Sequence, residues 1–149
     1  MTYTKLNAHL RAAKAYAGLS HAKRLQVGAV LVRDDRPVSV GYNGTPTGDD
    51  NTCEFELDGE LVTKLRVIHA EANALAFAAK NGVATNNCVL VTTHSPCYEC
   101  ARLIIQCGVS HVYYETDFRD LGGVELLNEF IECNKIGKEG QWQVERTNS

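Results

Sequence analysis

The sequence predicts one α/β domain, over residues 1–149, with a sheet that is parallel in part. This length is enough for a single domain to bury most of its apolar surface without disulfides. Short apolar runs alternate with helix-forming segments in the second half of the chain. Such alternation is typical of βαβ units, in which a helix connects two parallel strands.

The first third of the chain predicts a helix and a β-hairpin. Before Gly18, apolar residues recur at helical spacing, at Leu6, Leu10, Ala13 and Ala17. Two β-rich runs, 26–32 and 38–42, are separated by turn residues and are expected to pair. Residues 41–48 are too rich in Gly and Pro to continue a strand, and the acidic segment 49–62 is expected to be an exposed irregular loop.

The remaining elements are expected to be three helices and three strands. In chain order they are a helix over 69–80, a strand over 89–93, a helix over 97–107, a strand over 109–114, a helix near 124–133 and a short strand at 142–144. Asn81-Gly82 and Gly108 are the expected ends of the first two helices.

Composition limits the partners and the compartment. The net charge of −3 argues against a broad nucleic-acid-binding surface, so a substrate phosphate must be met by a few placed groups. No apolar run could span a membrane, and the first residues have no apolar signal region. The six cysteines show no disulfide-framework spacing. We expect a cytoplasmic protein that binds neither nucleic acid nor membrane.

The most informative motif is His-x-Glu followed by Pro-Cys-x-x-Cys. It contains His69 and Glu71, then Cys97 and Cys100. One imidazole and two thiolates are typical zinc ligands, and three protein ligands leave the fourth tetrahedral position for water, as catalytic zinc sites do. The combination is the signature of zinc-dependent nucleobase deaminases.

Local structure explains this spacing. Both pairs are expected at helix starts, and residues three apart on a helix share a face, so Cys97 and Cys100 can meet one ion. The positive end of a helix and the metal both favour thiolates. Zinc lowers the pKa of its water to about 7. Glu71 is therefore expected to stay off the metal and carry a proton from that water to the base.

Each part of the motif also has a simpler interpretation. A histidine in an apolar stretch is usually a satisfied core residue, and Cys-x-x-Cys can be a redox pair or a structural zinc knuckle. A structural zinc normally takes four protein ligands, and this arrangement offers three. The combined motif therefore favours a catalytic zinc.

Residues 5–133 resemble the deoxycytidylate (dCMP) deaminase family of the cytidine deaminase-like superfamily. The segments that carry the resemblance are 26–29, 41–48, 69–74 and 96–106. The zinc motif marks the whole superfamily, whereas the Gly-Tyr-Asn-Gly-x-Pro-x-Gly loop at 41–48 is more discriminating. The resemblance implies a three-layer α/β/α domain with a mixed, mostly five-stranded sheet, and commonly a hexamer. It also implies hydrolysis of the amidine C–N bond of dCMP, which gives ammonia and dUMP, the thymidylate precursor.

The resemblance also implies roles for individual residues. The zinc ligands are His69, Cys97 and Cys100, and the proton shuttle is Glu71. The substrate-binding residues implied are Asn43 at the sugar-phosphate, Ala70, Phe118 at the pocket wall and Arg119 at the phosphate. A solvated surface charge is the alternative for Arg119, although a planar guanidinium suits phosphate well.

Many members of this family are activated by dCTP and inhibited by dTTP at subunit interfaces. The resemblance implies that loop 41–48 takes part, with Tyr42, Gly44 and Gly48 as candidate effector contacts and Mg²⁺ as a companion of the triphosphate. Two departures stand out. Thr63 occupies a position where some members have a phosphate-contacting histidine. His21 and Cys53 lie near the ligand positions of a second, structural zinc found in some viral members, but packing or surface roles are favoured for both.

Two other functions remain open at this point. Another deaminase could use the same zinc chemistry on dCTP, cytidine, free cytosine or tRNA adenosine, although a tRNA-binding member should be more basic. A zinc-stabilised binding module without turnover is the alternative from a different class, and such a module would have no need of Glu71. His94 and His111 flank predicted strands and are expected to be structural.

Overall fold

The computed structural model describes residues 1–118 and 120–137. The elements, in chain order, are α1 (Tyr3–Ala17), β1 (Gly28–Arg33), β2 (Arg36–Tyr42), β3 (Glu54–Leu57), β4 (Glu60–Thr63), α2 (Ala70–Lys80), β5 (Val89–His94), α3 (Tyr98–Gln106), β6 (His111–Thr116), α4 (Gly122–Phe130) and β7 (Glu132–Lys135). In this part of the chain, no helix combines the length and apolar character needed to cross a membrane.

Five strands form the central sheet in the order β2-β1-β5-β6-β7. Strand β1 is antiparallel to both β2 and β5, whereas β5 and β6 are parallel, as are β6 and β7. The parallel pairs are connected by α3 and α4, as expected for βαβ units. The predictions of a mixed five-stranded sheet and of a parallel portion are confirmed.

The sheet is covered on both faces, which gives three layers. Alternate residues of a strand point to opposite faces, and in β1 both sets are fully buried. Val30 and Val32 belong to a cluster with α1, which includes Leu6 and Leu10. Leu31 and its neighbours on the other face pack with helices α2, α3 and α4. The three-layer α/β/α architecture is therefore confirmed.

The segment 49–62 is where the expectation was wrong. Instead of an irregular loop, it contains most of a two-stranded antiparallel sheet formed by β3 and β4. The turn residues Asp58 and Gly59 have φ angles of 51° and 81°. A two-residue Asp-Gly turn with both φ angles positive is a strong hairpin signal, so this hairpin could have been predicted from the sequence.

The C-terminal elements differ from expectation as well. Helix α4 ends at Phe130 rather than near 133, and the residues after it form β7 at the sheet edge. Pairing with β6 satisfies the β7 backbone, and Cys133 is buried there, which overrides the local helical pattern. The expected short strand at 142–144 lies outside the described residues.

Close backbone contact between β2 and α2 determines where α2 begins. A Cβ atom at Gly41 would overlap the carbonyl oxygen of Ala70 and the nitrogen of Ala74. Only glycine allows this approach. The start of α2, which carries the His-x-Glu motif, is therefore held against the sheet at a position that a larger residue would displace.

We expect Gly41→Ala to lower the free energy of unfolding by about 1–3 kcal/mol, because an extra methyl group has to be accommodated between two backbones. Urea unfolding measures this change. Gly44→Ala is the matched control, since a Cβ there meets nothing within 4 Å. Equal stability of the two variants would contradict the close-contact argument.

Candidate metal centre and active-site cavity

Two helix N-termini bring the predicted metal ligands together. His69 is the N-cap residue of α2 and Cys97 is the N-cap residue of α3, with Cys100 in the first turn of α3. The Nδ1 atom of His69 lies 3.3 Å from the sulfur of Cys97 and 3.3 Å from the sulfur of Cys100. Within the described residues, these three form the one group of at least three His, Cys, Asp or Glu side chains close enough to hold a metal ion.

The three ligand atoms fit a zinc ion. Zinc binds sulfur at about 2.3 Å and imidazole nitrogen at about 2.0–2.1 Å, so a tetrahedral site separates nitrogen from sulfur by about 3.5 Å. The observed separations of 3.3 Å are close to this value, and all ligand atoms lie within 4.8 Å of one another. One nitrogen and two sulfur ligands suit zinc chemically and leave a fourth position open.

Electrostatics favour a cation at this point. The pKa of Cys97 is lowered to about 4, first because the Cys100 thiol donates to its sulfur, and also because His69 does. The same sharing raises the pKa of Cys100, and the hydrogen bond to Cys97 raises the pKa of His69. A group of sulfur and nitrogen atoms that share protons in this way releases them when a metal binds.

Glu71 lies beside the ligands without belonging to their group. Its side chain is 4% exposed, and its Oε1 atom accepts a hydrogen bond from the Thr92 hydroxyl at 3.2 Å. Burial raises the pKa of Glu71, and a hydrogen bond with Cys100 opposes that rise. A carboxyl group with a raised pKa in a cavity is suited to giving and taking protons near neutral pH.

A cavity of about 570 Å³ opens over these residues. Six parts of the chain line it: the segment before β1, the residue after β2, the β3–β4 hairpin, the start of α2, the end of β5 with the residue after it, and the end of β6 with the residues after it. The carboxyl ends of strands are the usual place for ligands in open α/β sheets. The volume is typical of a site for a small molecule.

The predicted substrate-binding residues divide into two groups. Asn43, Ala70 and Phe118 line the cavity together with His69 and Glu71. Arg119 lies outside the described residues.

Asn43 has a clear second task in the fold. Its Oδ1 atom accepts from the backbone N–H of Val27 at 2.9 Å, and its Nδ2 atom donates to the carbonyl of Leu25 at 2.8 Å. The side chain therefore fixes the backbone of the segment before β1, which is part of the cavity wall. An amide group has two N–H donors and two acceptor lone pairs, so some capacity remains for a ligand.

Several cavity residues were not assigned to a substrate site from the sequence. They are Arg24, Glu54, Thr63, His94 and Ser95. His94 was expected to be structural, yet it ends β5 at the cavity, where burial lowers its pKa and Nδ1 lies 2.8 Å from the Thr93 hydroxyl. The rule that ligands bind beyond the carboxyl ends of strands could have identified His94 and Ser95.

The effector candidates line a different, smaller cavity. Tyr42, Gly44 and Gly48 border a space of about 240 Å³, together with His21 and Cys53. Within the part of the chain that the structure describes, neither His21 nor Cys53 belongs to a group that could hold a metal. The Cys53 thiol is buried and donates to the carbonyl of Asn51 at 3.7 Å.

Comparison with known proteins agrees with this geometry. Residues 3–116 match the family described as the cytidine and deoxycytidylate deaminase zinc-binding region. The chain belongs to this family. A dCMP deaminase of the cyanophage S-TIM5, solved in complex with dCMP and dUMP, superposes with a TM-score of 0.82 at 38% identity, covering 87% of this chain and 95% of that one.

Curated members of the family match a smaller share of the chain. Deoxycytidylate deaminase of Mycobacterium phage D29 is 36% identical over 113 residues, 68% of this chain and 87% of the phage enzyme. ComE operon protein 2 of Bacillus subtilis is 40% identical over 104 residues, 67% of this chain, and the match spans about half (53%) of the Bacillus protein.

We expect the wild-type chain to bind one zinc ion and Cys97→Ala to lose it, because two protein ligands hold zinc much less tightly than three. Metal analysis of the purified proteins gives the stoichiometry. Cys107→Ala is the matched control, since Cys107 ends α3 and is not one of the grouped ligands. Full zinc occupancy in Cys97→Ala would remove Cys97 from the site.

Proposed function

We propose that this protein is a zinc-dependent dCMP deaminase, which hydrolyses dCMP to dUMP and ammonia and so supplies the thymidylate precursor. The observation that carries the proposal is the buried carboxylate of Glu71 beside the His69, Cys97 and Cys100 ligand set, at a cavity of about 570 Å³. The likeness to a solved dCMP deaminase supports the choice of substrate.

The reaction needs a nucleophile, a group that accepts and donates protons, and a pocket that excludes bulk water. Zinc held by His69, Cys97 and Cys100 supplies Lewis-acid chemistry, which makes hydroxide available near neutral pH. The reaction forms a bond from the water oxygen to C4 of cytosine and breaks the bond from C4 to the amino nitrogen. The two protons of the water end on N3 and on the departing amino group.

Glu71 carries these protons in the proposal. The Thr92 hydroxyl lies 3.2 Å from Oε1 and orients the carboxylate, which takes the proton from the attacking water and passes it on. The water, N3 and the departing amino group are close together in the reacting molecule, so one buried carboxylate can serve each proton transfer. Burial also excludes bulk water, which would otherwise compete as a proton donor and acceptor.

The 5′-phosphate requires cations that are placed individually, because the net charge is −3. Arg24 lines the cavity, and its Nη1 atom donates to the Thr63 hydroxyl at 3.0 Å. No carboxylate among residues 1–118 and 120–137 forms an ion pair with Arg24. We assign the phosphate to Arg24 and Arg119 and the sugar to Asn43, with Phe118 as a pocket wall.

Regulation by dCTP and dTTP, with Mg²⁺ accompanying the triphosphate, belongs to the same proposal. The smaller cavity beside Tyr42, Gly44 and Gly48 is the candidate effector site. Gly44 and Ile68 exchange two backbone hydrogen bonds, of 3.1 and 2.8 Å, and Ile68 immediately precedes His69. A change in this loop would therefore be transmitted directly to a zinc ligand.

Assembly into a homo-oligomer, with a hexamer favoured, is also proposed. Large apolar side chains are exposed on the three helices of one layer: Phe77 on α2, Tyr98 and Leu103 on α3, and Phe130 on α4. Covering such a surface with other copies removes apolar area from water. All six cysteines are free thiols, which fits a reducing compartment such as the cytoplasm.

The alternatives have less support. A binding module that uses zinc only for stability has no need of a buried carboxylate beside an incomplete ligand set. A deaminase of cytidine or free cytosine has no substrate phosphate for Arg24, which lines the cavity and forms no ion pair within the described part of the chain.

Ammonia release from dCMP, dCTP, deoxycytidine, cytidine and cytosine, with and without dCTP or dTTP, tests the proposed function. We expect dCMP to be the best substrate. Glu71→Gln should retain zinc and the Thr92 hydrogen bond but lose about 10²–10⁴-fold in rate, because the amide cannot carry protons. Near wild-type turnover by Glu71→Gln would refute the mechanism. The absence of ammonia release from dCMP by the wild type would refute the function.

Arg119→Ala is expected to lower kcat/KM for dCMP by about 10–150-fold, the equivalent of a charge-assisted hydrogen bond of about 1.5–3 kcal/mol. The loss for deoxycytidine should be far smaller, because that substrate has no phosphate. Steady-state kinetics on both substrates measure the difference. Arg36→Ala, an exposed arginine at the start of β2, is the control. Equal losses on both substrates would assign Arg119 to the fold.

A further inference from the structure

The β3–β4 hairpin lies outside the main sheet, yet its base reaches the active-site cavity. Glu54 and Thr63 are paired across the hairpin, and both line the cavity. The backbone N–H of Lys64 donates to the carbonyl of Cys53 at 2.8 Å and extends this pairing by one step. The two-residue Asp-Gly turn fixes the register, so Glu54 and Thr63 stay opposite each other.

These two residues hold Arg24 at both of its ends. The Oε2 atom of Glu54 accepts from the backbone N–H groups of Lys23 at 2.8 Å and Arg24 at 3.0 Å. The hydroxyl of Thr63 accepts from Nη1 of Arg24 at 3.0 Å. One residue of the hairpin pair therefore fixes the backbone of Arg24, and its partner fixes the guanidinium.

The arrangement leaves Arg24 available for an anion. Glu54 is 8% exposed, and a buried carboxylate has to be hydrogen-bonded; here it is satisfied by backbone N–H groups and not by a guanidinium. The guanidinium has five N–H donors, and among residues 1–118 and 120–137 only Thr63 accepts from one of them, which leaves about four for a ligand. A guanidinium held in one orientation binds a phosphate with less loss of conformational freedom.

We propose that Glu54 and Thr63 are positioning residues that hold Arg24 against the 5′-phosphate, so that the hairpin determines the preference of this enzyme for a nucleotide over a nucleoside. The inference rests on the proposed function. In this chain the hydroxyl acts on the phosphate through Arg24.

Substitutions at Thr63 test the role of the hydroxyl on the zinc-loaded enzyme. Thr63→Val keeps the shape of the side chain but removes the acceptor, and it should raise KM for dCMP by about 3–10-fold. The kcat for dCMP should change by less than about 2-fold, and deoxycytidine kinetics should be unaffected, because the reacting atoms are not touched. Thr63→Ser, which keeps the hydroxyl, should restore the KM of the wild type.

A double-mutant cycle separates positioning from a merely structural effect. In an Arg24→Ala background, Thr63→Val should have no further effect, because the residue it positions is gone. Glu54→Gln keeps an acceptor for the two backbone N–H groups and should be milder than Glu54→Ala. Arg36→Ala, which changes an exposed arginine that is not among the residues lining the cavity, controls for loss of positive charge.

Binding of the product provides a second readout that needs no turnover. The Kd for dUMP, measured by calorimetry, should rise about 3–10-fold in Thr63→Val, with no change for deoxyuridine. Equal losses on nucleotide and nucleoside, or an additive double mutant, would overturn the inference while leaving dCMP deamination intact. If the wild type releases no ammonia from dCMP, the proposed function fails, but dUMP binding by the variants still tests the role of the hairpin. If the wild type does not bind dUMP, the proposed function and the role of the hairpin are both overturned.

Discussion

Three ligand atoms from two helices must meet at one ion, and the rest of the structure is arranged around this requirement. His69 begins α2, and Cys97 and Cys100 begin α3, so the two helix N-termini have to lie side by side. Small residues on α2 and α3 make this possible, because Ala70, Ala74 and Ala101 are completely buried against the sheet. Glycine at position 41 also allows α2 to approach the sheet closely, since any side chain there would push α2 away from β2.

The close approach of the N-termini of α2 and α3 also determines the chemistry of the site. Helix N-termini favour thiolates, and the shared protons of Cys97, Cys100 and His69 mark a position where a cation is stabilised. Burial of Glu71 raises the pKa of its carboxyl group, while Thr92 supplies the hydrogen bond that a buried oxygen needs. The proposed metal binding and proton transfer therefore depend on one packing arrangement.

Segments outside the main sheet complete the cavity. Asn43 fixes the backbone before β1, and the Gly44–Ile68 pairing ties the neighbouring loop to the residue that precedes His69. The β3–β4 hairpin fixes Arg24 from the other direction through Glu54 and Thr63. The candidate zinc ligands are thus supplied by the starts of α2 and α3. The residues proposed to select the ligand come from loops and the hairpin, as is common in α/β proteins.

The sequence by itself determined the α/β class, the parallel portion of the sheet and the residue types of the candidate metal site. The spacings His69–Glu71 and Cys97–Cys100 are short, so helix geometry converts them directly into positions. The meeting of His69 with the two cysteines spans 28 and 31 residues of chain and required the packing of α2 beside α3. Tertiary structure alone decided that Arg24, Glu54 and Thr63 share one cavity, because they are 30 and 39 residues apart along the chain and meet only through the register of a hairpin. It also decided that α4 stops at Phe130, because the residues that follow gain a strand partner in β6, which no local pattern could reveal.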